Sequence, residues 1–167
     1  NYVQGYFEYD SKKSGGVTKS HLRISNNKIR STYYVKTPDV LVISKDTYFD
    51  SFNLVDNLKD NSTIIINSER NEEELNKLFT TDFKNLVKKT NSKIYVINAN
   101  KIAREVGLMD KISMIMEYAI FLITKLLDPK LVKEQLVNYI NIKFMKKGDS
   151  VIESNIHALE LVENSIE

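Results

Sequence analysis

The chain has 167 residues, 42% of them hydrophobic, which is enough for one domain with a sizeable core, and its formal net charge is only +2. Cysteine is absent, which excludes disulfides, thiolate nucleophiles, and zinc or iron–sulfur clusters held by thiolates of this chain; with only His21 and His157, a metal site is not expected either. No apolar run approaches a membrane span and no basic-then-apolar leader opens the sequence, so a soluble, cytoplasmic protein is the expectation.

Charge is unevenly spread. Residues 1–45 hold eight Lys/Arg against three Asp/Glu, whereas 149–167 hold five acids and no Lys/Arg. Residues 3–9 (VQGYFEY) and 17–24 (VTKSHLRI) are β-rich and predict two strands, the second roughly alternating, each with one wetted face. Seven residues separate them. A parallel crossover needs about a dozen, so the two should pair antiparallel. Asn26-Asn27 reads as a turn, and residues 28–34 as a further extended stretch.

The pattern changes at Pro38. Residues 40–44, 63–67 and 93–98 are short, β-branched and largely apolar, as strands covered on both faces must be. Between them lie helical patterns. Residues 48–58 place Phe49, Phe52, Val55 and Leu58 near one face. Residues 71–87 open on an Asn71 cap with Glu74 three residues on and continue through Leu75, Leu78, Phe79, Leu86 and Val87. After Ile97 the chain reads as helical: a short helix closed by Gly107, a long one over 109–127, one after Pro129 and one after Gly148. The expectation is a single α/β domain over residues 1–167: three layers (α/β/α), a mostly parallel mixed sheet, an N-terminal antiparallel hairpin and a helical C-terminal third.

Catalytic signatures are thin. There is no G-x-G-x-x-G, no Walker loop and no G-x-S-x-G. Glu72, Glu73 and Glu74 crowd a helix start, where capping and the helix dipole explain them. His21 in a strand is expected to be structural or solvated. Met109, Met114 and Met116, interleaved with Ile112, Ile115 and Ile120, are expected to fill core.

One stretch is harder to dismiss. Lys12 and Lys13 precede Ser14-Gly15-Gly16, and paired glycines let a backbone turn with positive φ and bring amides close to a ligand. Lys19 and Arg23 share one face of the following strand, and Arg30 lies on the next extended piece. Two readings fit the pattern: a patch for a phosphate or an acidic protein surface, or a solvated hairpin whose lysines guard a sheet edge.

Several blocks in order, YVQGYFEYDSKKSGGVT (2–18), SHLR (20–23), IRSTY (29–33) and KIAREVGL (101–108), with the Lys146-Lys147-Gly148 turn, resemble the gamma-type domain of pyruvate:ferredoxin (flavodoxin) oxidoreductases. That domain is the third along the fused bacterial polypeptide. Relatives carry a glycine-rich strand–loop–helix before the aromatic strand, so the resemblance implies a fragment lacking it. It also implies a cytoplasmic enzyme of anaerobic metabolism that converts pyruvate and coenzyme A to acetyl-CoA and carbon dioxide and passes electrons to ferredoxin or flavodoxin. Thiamine diphosphate and iron–sulfur clusters would sit in other domains, and the enzyme would be a homodimer. This domain would bind no cofactor alone and hold no catalytic residue; it would form scaffold and the coenzyme A side of the active site, with Lys12, Lys13, Ser14, Gly15, Gly16, Arg23 and Arg30 as the candidates. The alternative is a stand-alone module binding nucleotides or acidic partners. No nucleic acid or membrane partner is expected, since the charge is modest and no recognised module is present.

Overall fold

A computed structural model describes residues 2–9, 17–51 and 54–166. The chain opens with an antiparallel pair, β1 (Tyr2–Tyr9) and β2 (Thr18–Ser25), in a register that sets Tyr2 opposite Ser25 and Tyr9 opposite Thr18. Three parallel strands follow, β3 (Val40–Ile43), β4 (Thr63–Asn67) and β5 (Lys93–Ile97), with β4 in the middle. The helices are α1 (Tyr48–Ser51), α2 (Glu72–Leu78), α3 (Thr81–Lys89), α4 (Ala99–Glu105), α5 (Ser113–Thr124), α6 (Pro129–Phe144) and α7 (Asp149–Ser165), with a short 3₁₀ turn at Met145–Lys147 before the last. The expected fold class therefore holds, with antiparallel hairpin, parallel crossover units and a helical C-terminal part. The ribbon and the parallel strands form two sheets rather than one mixed sheet.

β4 decides the layering. Ile64, Ile65 and Ile66 are all fully buried, and a strand alternates its side chains between faces. Ile64 and Ile66, with Ile43, pack against Phe49, Leu58, Leu75 and Phe83; Ile65, with Ile97, packs against α4 to α7. β4 and β5 are each preceded by a turn that pairs a left-handed asparagine with a serine, Asn61-Ser62 and Asn91-Ser92. Asn61 and Asn91 adopt left-handed φ of 59° and 50° two residues before β4 and β5, and Asn91 Nδ2 donates to Asn61 Oδ1 at 2.8 Å. Asparagine is among the few side chains that tolerate this conformation.

Local chemistry sets the helix limits. The capping box at Asn71 forms as expected: Glu74 N donates to Asn71 Oδ1 at 2.9 Å and Asn71 N to Glu74 Oε2 at 3.1 Å. The single helix expected over 71–87 is two. Thr80 Oγ1 accepts from Phe83 N at 3.2 Å and starts a new helix, because its hydroxyl offers the backbone an alternative to continuing the first. Phe79 and Phe83 still converge on Phe49, with ring centroids 4.9–5.1 Å apart. Of the helix expected over 48–58, Tyr48–Ser51 is helical and residues 54–58 are irregular; Phe52 lies outside the described residues. Residues 28–34 form no strand.

α4 closes as its glycine suggested: Gly107 takes φ 76°, and Gly107 N and Leu108 N bond back to the carbonyls of Arg104 and Ala103. α5 is shorter than the 109–127 expected, because Met109 and Lys125 both take left-handed φ, 57° and 51°, outside its ends. Met114 and Met116 do fill core, but Met109 sits on that turn and is exposed. α5 is apolar nearly all round, as a helix enclosed by α4, α6, α7 and β4 must be. α6 starts on Asp128, which accepts from Lys130 N at 2.8 Å with Pro129 at the first helical position.

One polar tie crosses this helical layer. The buried Tyr118 on α5 donates its hydroxyl to Glu163 on α7 at 2.5 Å, and Lys133 on α6 donates to the other Glu163 oxygen at 2.8 Å. Burial works against the Glu163 carboxylate, but the hydrogen bonds from Lys133 and Tyr118 outweigh it and hold its pKa below the usual range. A group so lowered contributes stability above its unfolded pKa, and that contribution fades as pH falls through the folded value. Tyr118→Phe is expected to cost about 1.5–3 kcal/mol at neutral pH, the range for a bond to a charged acceptor. In urea denaturation the difference from wild type should shrink as pH falls below the carboxylate range.

Candidate functional site

Two regions carry concentrated polar chemistry. The first is the polar face of the β1–β2 ribbon. Strand alternation and the observed register put Gln4, Tyr6 and Glu8 beside Arg23, His21 and Lys19 on one face. The segment after β2 folds over it. Gln4 Nε2 donates to the Ser31 carbonyl at 2.7 Å, and Arg23 Nη1 donates to Gln4 Oε1 at 3.0 Å while its guanidinium lies 5.0 Å from the Tyr33 ring centroid.

His21 is structural, as expected. Its Nε2 lies 2.9 Å from Glu8 Oε2, its ring stacks on Tyr34 at 4.7 Å, and its Nδ1 accepts from Val35 N at 3.2 Å, which places the proton on Nε2. Of the residues expected at an anion site, Arg23 is therefore fixed in place by a side-chain acceptor and an aromatic face. Arg30 is exposed. Lys12, Lys13, Ser14, Gly15 and Gly16 lie outside the described residues.

The second region is a cleft of about 390 Å³ at the carboxyl ends of β3, β4 and β5, the end where open α/β sheets bind ligands. Each strand hands over from isoleucine to a mostly polar segment: Ser44-Lys45-Asp46-Thr47, Asn67-Ser68-Glu69-Arg70, and Asn98-Ala99-Asn100, which opens α4. Asn67 is buried and fully used, donating to the Ser44 carbonyl at 3.0 Å and to Asn100 Oδ1 at 3.1 Å and accepting from Ala99 N at 2.9 Å. Asp46 accepts from Ser68 Oγ at 2.5 Å and from Arg70 Nε at 3.1 Å.

Glu69 and Arg104 pair through two bonds of 2.8 Å. The hydrogen bond from Arg104, more than the direct charge, holds the Glu69 carboxyl below the usual range, and the same bond raises Arg104. The sequence reading missed this cleft. Its only signal is the short, mostly polar run after each apolar strand, a pattern that also marks ordinary loops. Among the described residues no cluster of His, Asp or Glu has the makings of a metal site.

Comparison with known proteins places the chain. A sequence profile described as pyruvate ferredoxin/flavodoxin oxidoreductase matches residues 1–163. The chain belongs to that family. It is 37% identical to the pyruvate-flavodoxin oxidoreductase of Klebsiella pneumoniae over 96% of its own length and 14% of that protein's. It is 35% identical to the pyruvate:ferredoxin oxidoreductase of Moorella thermoacetica over 99% of this chain and 14% of the relative. A pyruvate dehydrogenase [NADP(+)] of Cryptosporidium parvum is 33% identical over 98% of this chain and 8% of the relative. The chain thus spans about one seventh of the first of these relatives. The fold matches that of the pyruvate oxidoreductase subunit PORC of Thermotoga maritima, with a TM-score of 0.73 at 22% identity, over 99% of this chain and 80% of that one.

The Asp46 bonds hold the β4 loop of this family member's cleft in shape. Asp46→Ala should leave Ser68 Oγ and Arg70 Nε without their acceptor and cost about 1–3 kcal/mol. Hydrogen exchange should speed at residues 68–70 well before the core amides of β4 respond.

Proposed function

We propose that the chain is one domain of a pyruvate:ferredoxin or pyruvate:flavodoxin oxidoreductase, an enzyme that forms acetyl-CoA and carbon dioxide from pyruvate and coenzyme A. The family match over residues 1–163 supports this reading, with relatives named for that activity at 35–37% identity. The whole enzyme uses thiamine diphosphate for the carbon chemistry and iron–sulfur clusters for the electrons. This chain has no cysteine, so it does not fit a thiolate-ligated cluster. The redox path runs through other domains of the same cytoplasmic, homodimeric assembly, and ferredoxin or flavodoxin is reached through them.

The domain supplies scaffold and the coenzyme A side of the active site. The candidates are Lys12, Lys13, Ser14, Gly15 and Gly16, which lie in sequence between β1 and β2, together with Arg23 and Arg30. The 3′-phospho-ADP end of coenzyme A is strongly anionic, and positioned guanidinium, ammonium and amide donors are the groups that recognise phosphate. Arg23 favours this reading because its side chain is already held by Gln4 and Tyr33, so little rotamer freedom is lost on binding.

The test is steady-state kinetics of the full-length enzyme carrying Lys13→Ala. Loss of one charge-assisted phosphate contact should raise the KM for coenzyme A about tenfold, roughly 1.4 kcal/mol, with the KM for pyruvate unchanged. An unchanged KM for coenzyme A in both Lys13→Ala and Arg30→Ala would overturn the coenzyme A assignment. Arg23→Ala is less informative because Arg23 also ties Gln4 and Tyr33.

A further inference from the structure

The face of the β1–β2 ribbon opposite Arg23 and His21 is built differently from every other sheet face described. The register pairs Val3 with Ile24, Gly5 with Leu22, Phe7 with Ser20 and Tyr9 with Thr18 on it, without one charged side chain. Val3, Phe7, Tyr9 and Leu22 are each more than half exposed, and Phe7 and Tyr9 contact each other with ring centroids 6.2 Å apart. Contiguous apolar surface of this kind marks a contact face, and a two-stranded ribbon is marginal without cover on its apolar side. The other face already has its cover in the segment carrying Ser31, Tyr33 and Tyr34.

Gly5 adds a second observation. A glycine weakens a strand, yet it sits mid-strand among these side chains with nothing within 4 Å of where a Cβ would stand. The result is a depression flanked by Val3, Phe7 and Leu22, with room for a side chain arriving from outside.

We propose that this face is a docking surface for an apolar helix face contributed by another part of the same polypeptide, one side chain of which seats over Gly5. A helix is the favoured occupant because the parallel sheet of this chain covers both its faces with helices, and an uncharged sheet face pairs with a helix stripe in the same way. The same polypeptide is favoured because the relatives hold this domain within chains of which it forms 14% or less. The inference rests on the domain reading above.

The test uses the full-length oxidoreductase with the photoreactive benzoylphenylalanine in place of Phe7, prepared as an equal mixture of isotopically light and heavy chains. Irradiation followed by mass spectrometry should give one dominant cross-link to a helical peptide outside these 167 residues, light to light and heavy to heavy. Gly5→Leu should reduce its yield at least tenfold. Gly5→Ala, a milder filler, should reduce it less, which keeps the test open if the leucine variant fails to fold. Light-to-heavy cross-links would show a second copy on this face and overturn the proposal, as would cross-links confined to these residues, no cross-link at all, or an undiminished yield in both glycine variants. Failure of the domain reading looks different: the reading frame would encode nothing beyond this segment.

Discussion

The organisation of this molecule follows from one constraint, that β4 is apolar on both faces. A strand whose successive residues are Ile64, Ile65 and Ile66, all at zero exposure, must be central and must be covered above and below. In this chain both faces are covered, with parallel strands joined through helical crossovers. Parallel strands in turn place every carboxyl end at the same edge, and that is where the cleft of Asp46, Asn67 and Ser68 opens. The polar cleft and the two apolar cores are therefore consequences of the same three residues.

The ribbon obeys a different rule. Its strands alternate, so it owns one polar and one apolar face. Much of the polar face is engaged within the chain: Glu8 with His21, Gln4 with Ser31, Arg23 with Gln4 and Tyr33. Cationic groups near the ribbon are thus of two kinds, those fixed by neighbours, such as Arg23, and those standing in solvent, such as Arg30.

Much of this was legible because the patterns were strong. The three apolar strands, the Asn71–Glu74 box and the Gly107 stop each carry a mechanism that depends on a few neighbouring residues, and all appear where that mechanism requires. The misreadings share a cause as well. The break at Thr80 depends on a hydroxyl winning a backbone donor, and the irregular course of residues 54–58 goes with Leu54, Val55 and Leu58 packing into the phenylalanine cluster. Periodicity is nearly silent on both. The ends of α5 turn on left-handed Met109 and Lys125, residue types that rarely announce that conformation. The cleft escaped notice because Asp46, Asn67 and Asn100 become neighbours only through the parallel stacking of strands some twenty to thirty residues apart.

Ile65 faces the helical layer while its neighbours Ile64 and Ile66 face the phenylalanine cluster, so a single peptide chain separates two interiors that share no side chain. Such a partition lets each interior be redesigned by mutation without the other needing to answer.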